Sequence, residues 1–268
     1  MTSDPFEAFK MAQREVWKSF APLAQMTTPT AAKLVHFADV RPGQKVLDVG
    51  CGTGVVAITA RRVGAVVTGL DLTPELLAVA KENAAISEVD DIAWKEGDVE
   101  SLPFRDGEFD VVLSQFAHIF APRPEVAVKE MLRVLKRGGT IAFHTWPPEL
   151  MFGRVFALVA QYMPPPPDPK PAPASQWGDP NVVLQRLGSA VRDVTFDRGV
   201  QTAPALSPQH YRRMMEQTGG PMVRVIQTLK DDPTRLAAFR REYDGIVAQY
   251  FDRNVVHQDF LMTRAIRA

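Results

Sequence analysis

The stretch Val46-Leu47-Asp48-Val49-Gly50-Cys51-Gly52-Thr53-Gly54 constrains this chain more than any other. An apolar run of strand character enters three alternating glycines and then a segment of helical period. Glycine reaches backbone torsions closed to other residues and lets a ligand approach the main chain, while the start of the following helix presents N–H groups without helical partners. A cofactor-binding loop is therefore expected over 50–54. Its spacing bears on the cofactor: the dinucleotide fingerprint needs its third glycine where Val55 stands, and Gly54 comes one place early. That departure disfavours a nicotinamide dinucleotide and the oxidoreductase it would serve.

Around this loop, short β-branched runs alternate with longer helical segments, the pattern of an α/β fold with a mostly parallel sheet. Strands are expected at Lys45–Val49, 66–70, Ile92–Glu96, 109–113 and 139–145, with helices at 55–63, 73–85 and 125–135. Thr73 is placed to cap the second helix through its hydroxyl, with Pro74 at the first helical position. Lys136 and Arg137, then Gly138 and Gly139, are expected to end the third helix. Beyond Trp146 a helix at 153–163 runs into 164–173, too rich in proline to continue a helix or join a sheet interior, and read as a stiff loop or lid. Strands at 191–200 and 259–266 would extend the same sheet, with helices at 208–217 and 233–250 between them. The whole chain, 1–268, reads as one domain: an N-terminal helical cap (1–40), a cofactor-binding core (41–147), and a lid insertion with the remaining strands and helices (148–268).

Composition narrows the function. Lys plus Arg and Asp plus Glu are 31 each, so no overall charge draws the molecule to nucleic acid or an anionic membrane. The single cysteine, Cys51, excludes an intramolecular disulfide framework, and no apolar run is long and clean enough for a signal peptide or membrane span. A cytosolic protein without stable membrane insertion is expected. Gln13, Arg14, Glu15 and Lys18 interrupt the methionines of the N-terminal segment, which suits an amphipathic surface helix.

Asp71 follows the second strand about twenty residues after the first glycine, the distance at which a carboxylate can accept hydrogen bonds from both ribose hydroxyls. Because Thr73 is available as the helix cap, the ribose role is preferred to a capping role. After the third strand, Asp98 and Val99 and then Leu102-Pro103-Phe104 set a carboxylate beside an apolar turn, able to bind an exocyclic amine and sandwich a purine.

These segments together resemble the class I S-adenosylmethionine (SAM) dependent methyltransferases, particularly the small-molecule branch that includes the ubiquinone and menaquinone biosynthesis enzymes. The matching stretches are VLDVGCGTG (46–54), GLDLTPELLAVAKENA (69–84), EGDVESLPFRDGEFDVVLS (96–114) and EMLRVLKRGGTI (130–141), in register over about 40–146. The resemblance implies a Rossmann-like, seven-stranded sheet with helices on both faces and the last strand antiparallel. It implies SAM as cofactor and S-adenosylhomocysteine (SAH) as product. Asp48 and the loop Gly50, Cys51, Gly52, Thr53 and Gly54 would hold the methionine part, Asp71 with Leu72 the ribose, and Asp98 with Val99 the adenine. Ser114 and Gln115, ending the fourth strand, complete the implied cofactor set.

Methyl transfer asks mainly for orientation, since the sulfonium is already activated; near-attack geometry can supply up to about 7–11 kcal/mol. A base is needed only if the acceptor must lose a proton. His118, just past the fourth strand at the sheet's carboxyl edge, is the candidate base or orienting group, the alternative being a partly buried histidine with one structural hydrogen bond. His144 and Trp146 share a strand face; Trp146 is a candidate acceptor contact, as are Trp177 in the lid and Tyr211 in a later helix. Phe116, Phe120, Phe143 and Met151 would make the pocket apolar and the acceptor a small hydrophobic or aromatic molecule. Trp17 would close over the cofactor or pack on the sheet.

Ser114-Gln115-Phe116-Ala117 stands where methyltransferases of DNA bases or protein glutamine carry Asn/Asp-Pro-Pro-Tyr/Phe, so that resemblance fails. The fourth strand also lacks the aspartate of a metal-dependent catechol enzyme, and no His/Cys cluster has ligand spacing, so no metal is expected. Cys51 has no partner base and reads as a small packing residue within the loop. A non-catalytic SAM-binding sensor or partner protein is the remaining alternative to an enzyme.

Overall fold

The computed structural model describes residues 4–89, 91–166 and 168–268. Two helices, α1 (Glu7–Trp17) and α2 (Ala24–Phe37), joined by a 3-10 turn over Lys18–Leu23, precede the sheet. The strand–helix alternation follows as β1 (Lys45–Val49), α3 (Val55–Arg62), β2 (Val66–Asp71), α4 (Pro74–Ile86), β3 (Ile92–Glu96), β4 (Phe109–Gln115), α5 (Pro124–Val134) and β5 (Leu135–Thr145). Then come α6 (Met151–Tyr162), α7 (Pro180–Leu187), β6 (Val191–Pro204), α8 (Pro208–Thr218), α9 (Gly220–Leu229), α10 (Pro233–Ala248), the two-residue β7 (Phe251–Asp252) and β8 (Val255–Arg267).

The strands form one sheet in the order β3-β2-β1-β4-β5-β8-β6, with β7 paired to β8. β1 to β5 are mutually parallel, and β8 runs antiparallel to both β5 and β6. The expected mixed sheet with an antiparallel last strand is present, with the short β7 as an addition. Chain order reverses between β1 and β4, so the loops leaving their carboxyl ends diverge and open a crevice there. The central strands β1 and β4 are buried along most of their length because helices cover both their faces. One apolar cluster gathers Leu47, Val112 and Phe143 with α5 and α7; another packs α2 and α3 on Val46, Val111 and Ala142. A third lies among α6 and α8 to α10, which form a helical cap beyond the sheet.

Several boundaries differ from the sequence expectation for identifiable reasons. α5 stops at Val134 and Leu135 already pairs with Phe109, so Lys136 to Gly139 lie within β5, in the bulge before Thr140 pairs with Val111, rather than ending a helix. β6 continues to Pro204 and β8 starts at Val255 because these strands pair along their whole length. Helices α7 and α9 were not expected. Thr73 stands at the N-cap position of α4, but its hydroxyl makes no capping bond; Asp71 instead accepts the Thr73 N–H at 2.8 Å. The proline-rich stretch is followed by a 3-10 turn, Ala174–Gly178, that buries Trp177. No helix among the described residues is long and apolar enough to cross a membrane.

Candidate active site

A cavity of about 230 Å³ occupies the crevice at the carboxyl edge. Its floor is the loop after β1, its sides the turns after β2, β3 and β4, and its outer wall Gln13 and Trp17 of α1 with Phe20 of the following turn. Two glycines make the floor possible. Gly50 has φ +66°, and a Cβ there would lie 2.3 Å from the Ala117 Cβ. Gly54 has φ +85° at the N-cap of α3, where a Cβ would meet the Trp94 ring at 2.8 Å. The Gly50 and Cys51 N–H groups both donate to Leu70 O, at 2.8 and 2.9 Å, which folds the loop back onto β2.

Three carboxyl groups face this cavity in different states. Asp48 is 1% exposed; its Oδ2 accepts the Ala57 N–H at 3.0 Å and its Oδ1 has no partner. Burial, aided by the neighbouring Asp71 charge, pushes its pKa up to about 8. Asp71 spans the two loops, Oδ2 accepting from Gly52 N–H and Oδ1 from Thr73 N–H, both at 2.8 Å. Burial raises its pKa too, against these hydrogen bonds. Each of its oxygens keeps acceptor capacity for a ligand hydroxyl. Asp98 accepts from Glu100 N–H at 2.9 Å and from Lys10 Nζ at 2.6 Å. Lys10 also pairs with Asp4 and Glu100, each at 2.6 Å, and Arg123 joins Glu100 at 2.7 Å, so an ion network ties α1 across the cavity mouth. Burial opposes the Lys10 charge, yet the three carboxylates hold its pKa above the ordinary value. This cluster of Asp4, Asp98 and Glu100 was not visible in the sequence, its members being far apart in the chain.

The other half of the cavity is aromatic. Phe116 and Trp146 stack with centroids 3.9 Å apart and planes 7° from parallel, and Phe152 lies 4.3 Å from Trp146. Phe116 has φ +58°, a left-handed conformation costing a bulky residue about 1–3 kcal/mol, and it is this turn that seats the ring on Trp146. Phe120 packs 4.8 Å from Trp17, joining this half to the N-terminal cap. From β4 onward the described lining residues include no Asp, Glu, Lys or Arg side chain.

Of the residues singled out in the sequence, Asp48, Gly50, Cys51, Gly52 and Thr53 line the floor, and Asp71, Leu72, Asp98 and Val99 the adjoining turns. Gln115, His118 and Trp146 border the second half. Gly54 lies behind the loop against Trp94, and Ser114 is a brace: its hydroxyl donates to Val49 O at 2.8 Å and accepts the His118 N–H at 3.2 Å. Trp177 stands off the cavity, edge-on to His118 at 4.6 Å with the Arg186 guanidinium 4.5 Å from its ring. Tyr211 is also off it, accepting from Gln258 Nε2 at 3.1 Å. Neither aromatic can touch an acceptor without displacing core.

The surroundings of His118 favour the structural alternative over a base. The imidazole lies between Phe143 and Trp177, each at 4.6 Å, and neither nitrogen has a hydrogen-bond partner. Burial, with the Arg186 charge, depresses its pKa to about 3, so it is neutral and a poor proton acceptor at pH 7. His144 is held near 3 by burial in the same way, against Phe116 and Phe260. The Cys51 thiol is pushed well up by burial and stays protonated.

Comparison with known proteins gives four findings. A family model described as "Methyltransferase domain" matches residues 47–143. An uncharacterised protein of Mycobacterium tuberculosis is 33% identical over 257 residues, covering 94% of this chain and 93% of that one. A demethylmenaquinone methyltransferase of Staphylococcus aureus is 40% identical over 131 residues, 47% of this chain and 54% of that enzyme. Among solved structures, the YcgJ protein from Bacillus subtilis superposes with a TM-score of 0.59 at 19% identity, over 89% of this chain and 97% of that one, a likeness of fold.

Proposed function

From a chain that belongs to the SAM-dependent methyltransferase family, we propose a methyl transfer to a small, uncharged acceptor with an apolar or aromatic body. One observation carries the proposal: a cavity joins a carboxyl-lined half at the glycine loop to an aromatic half that has no charged side chain among the described residues. The acceptor class agrees with the Staphylococcus aureus relative, which is named for a menaquinone precursor.

The residues present fit SAM. Asp48 Oδ1 is a buried acceptor without a partner, suited to a cationic ligand, and a side chain at Gly50 would collide with Ala117. In this reading Asp48 with Gly50, Cys51, Gly52 and Thr53 holds the methionine part, Asp71 with Leu72 the ribose, and Asp98 with Val99 the adenine. Gln115 lies between the two halves. When bound, SAM supplies a methyl group already activated on a sulfonium.

The chain's own contribution is positional. Phe116 and Trp146 orient a flat acceptor, Trp17 and Phe20 close the outer wall, and the desolvated walls exclude water. His118 remains neutral and supports the turn after β4 by packing. Among the described residues of the aromatic half no side chain is suited to take a proton at neutral pH, so the acceptor's nucleophile is one that transfers without a protein base there. The formal neutrality and lone buried thiol suit a cytosolic setting, which forms part of the proposal.

Incubating extract with the enzyme and deuteriomethyl-SAM, followed by mass spectrometry, tests this reading. A labelled, uncharged small molecule is expected. Label confined to protein, nucleic acid or a charged metabolite would contradict it.

A further inference from the structure

Three glutamines meet at one wall of the aromatic half. Gln115 ends β4, Gln201 lies near the end of β6, and Gln258 near the start of β8. Since β8 runs antiparallel to its neighbours, these positions fall together at the sheet's carboxyl edge, and Gln201 and Gln258 are direct cross-strand partners. All three border the cavity, whose other walls here are aromatic and aliphatic.

Their hydrogen bonds leave definite capacity over. Gln201 Nε2 donates to Gln258 Oε1 at 2.7 Å, and Gln258 Nε2 donates to the Tyr211 hydroxyl at 3.1 Å. Gln115 directs its amide nitrogen to Thr27 O at 3.0 Å and Thr30 Oγ1 at 2.5 Å. Both Gln115 amide hydrogens are thereby used, and its carbonyl oxygen remains an acceptor without a partner among the described residues. Gln201 and Gln258 each keep one amide hydrogen. Gln201 is 4% exposed and still reaches the cavity, whereas Gln258 is 0% exposed and holds the Gln201 amide from behind. Buried amides placed among apolar side chains are costly unless something hydrogen-bonds to them.

We infer that Gln115, Gln201 and Gln258 form the polar end of the acceptor chamber and select a neutral aromatic molecule bearing a hydroxyl. This rests on the acceptor reading above and adds its recognition chemistry. The hydroxyl donates to Gln115 Oε1 and accepts the spare N–H of Gln201, whose amide Gln258 fixes. Amides in place of lysine or arginine leave a carboxylate or phosphate without a counter-charge, so anionic analogues are turned away. Tyr211, itself off the cavity, is a positioning residue that fixes the Gln258 amide.

The test uses SAH-saturated protein, after calorimetry has measured SAH binding itself, and three probes of similar shape: 1-naphthol, 1-methylnaphthalene and 1-naphthoate. Tryptophan fluorescence reads their binding. Naphthol is expected to bind at least about tenfold more tightly than either of the others, because only it satisfies the buried amides. In Gln258→Met, and in the double variant Gln201→Leu with Gln258→Leu, the preference over methylnaphthalene should fall below about threefold while SAH affinity stays within about twofold. The double variant replaces both partners with apolar groups, so it keeps the test open if the single change misfolds. Equal binding of naphthol and methylnaphthalene by wild type, tighter binding of naphthoate, or a preference surviving in the variants would overturn the inference while leaving the SAM reading intact. Absence of SAH binding would overturn both.

Discussion

Replacing Asp48 with asparagine should remove a proton linkage from SAM binding. The wild-type carboxyl is buried with Oδ1 unpartnered and its pKa is pushed up to about 8, so below that pH it is protonated in the free protein. A cationic ligand that needs the carboxylate must expel this proton, and affinity then rises about tenfold per pH unit below about 8, or 1.36 kcal/mol per unit. Between about pH 5.5 and 7.5 the gain approaches a hundredfold, about 2.7 kcal/mol. The ligand's own amino group titrates at about 7.7–8.0, so the comparison stays below that range. In the free protein the sign is consistent: a raised carboxyl pKa contributes stability that is present at low pH and lost as pH climbs through about 8. Asparagine keeps an oxygen for the Ala57 N–H and removes the titration. Calorimetry in buffers of different ionisation enthalpy should show one proton released by wild type and none through this position in Asp48→Asn. Equal wild-type affinity at both pH values, or an unchanged slope in the variant, would refute the reasoning.

Other perturbations test other parts of the account. His118→Leu should leave the pH profile of methyl transfer unmoved; loss of a limb near pH 6–7 would restore the histidine as a base. Because the His118 pKa falls from 6.5 to about 3 on folding, its stabilisation is complete above about 6.5 and is lost on acidification, so at about pH 5 wild type should lose about 2 kcal/mol relative to its value at neutrality that His118→Leu retains. Paired urea titrations measure this, and identical pH dependences would contradict it. Phe116→Gly should be more stable than Phe116→Ala by about 1 kcal/mol, since both lose the ring but only glycine relieves the φ of +58°; the reverse order in denaturation would show the turn to be unstrained. Cys51, buried with its thiol pKa raised, should resist iodoacetamide in the native protein and react readily in denaturant, and fast native labelling would mean that the glycine loop opens.

What could be read from the sequence was what lies within one short stretch of chain. The glycine loop, Asp71 and the first strands announce themselves through local periodicity and spacing, because adjacent residues there share a single backbone constraint. Readings that depended on distant partners fared differently. The hydroxyl cap expected of Thr73 is not made, and the Asp71 carboxylate two residues back accepts the Thr73 N–H itself, a local side-chain-to-backbone bond that needs no helix cap. The proline-rich segment suggested an outer lid, but the Trp177 that follows it is in the core against His118, a contact set by tertiary packing. Gln201 and Gln258 gave no signal because the expected strands stopped one residue short of each, and only the longer cross-strand pairing of β6 and β8 brings them together. Lys10 and Asp98 are joined across much of the sequence and leave no periodic trace.

The central claim is that the cavity over the glycine loop binds a sulfonium nucleoside through Asp71 and its neighbours. Calorimetric titration of SAM and of SAH into wild type and Asp71→Ala tests it most directly. Wild type should bind each ligand at one site, and the variant should bind at least about tenfold more weakly through loss of hydrogen bonds to a charged group, about 1.5–3 kcal/mol. Folded wild-type protein that takes up neither ligand, or an Asp71→Ala variant with unaltered affinity, would contradict the account.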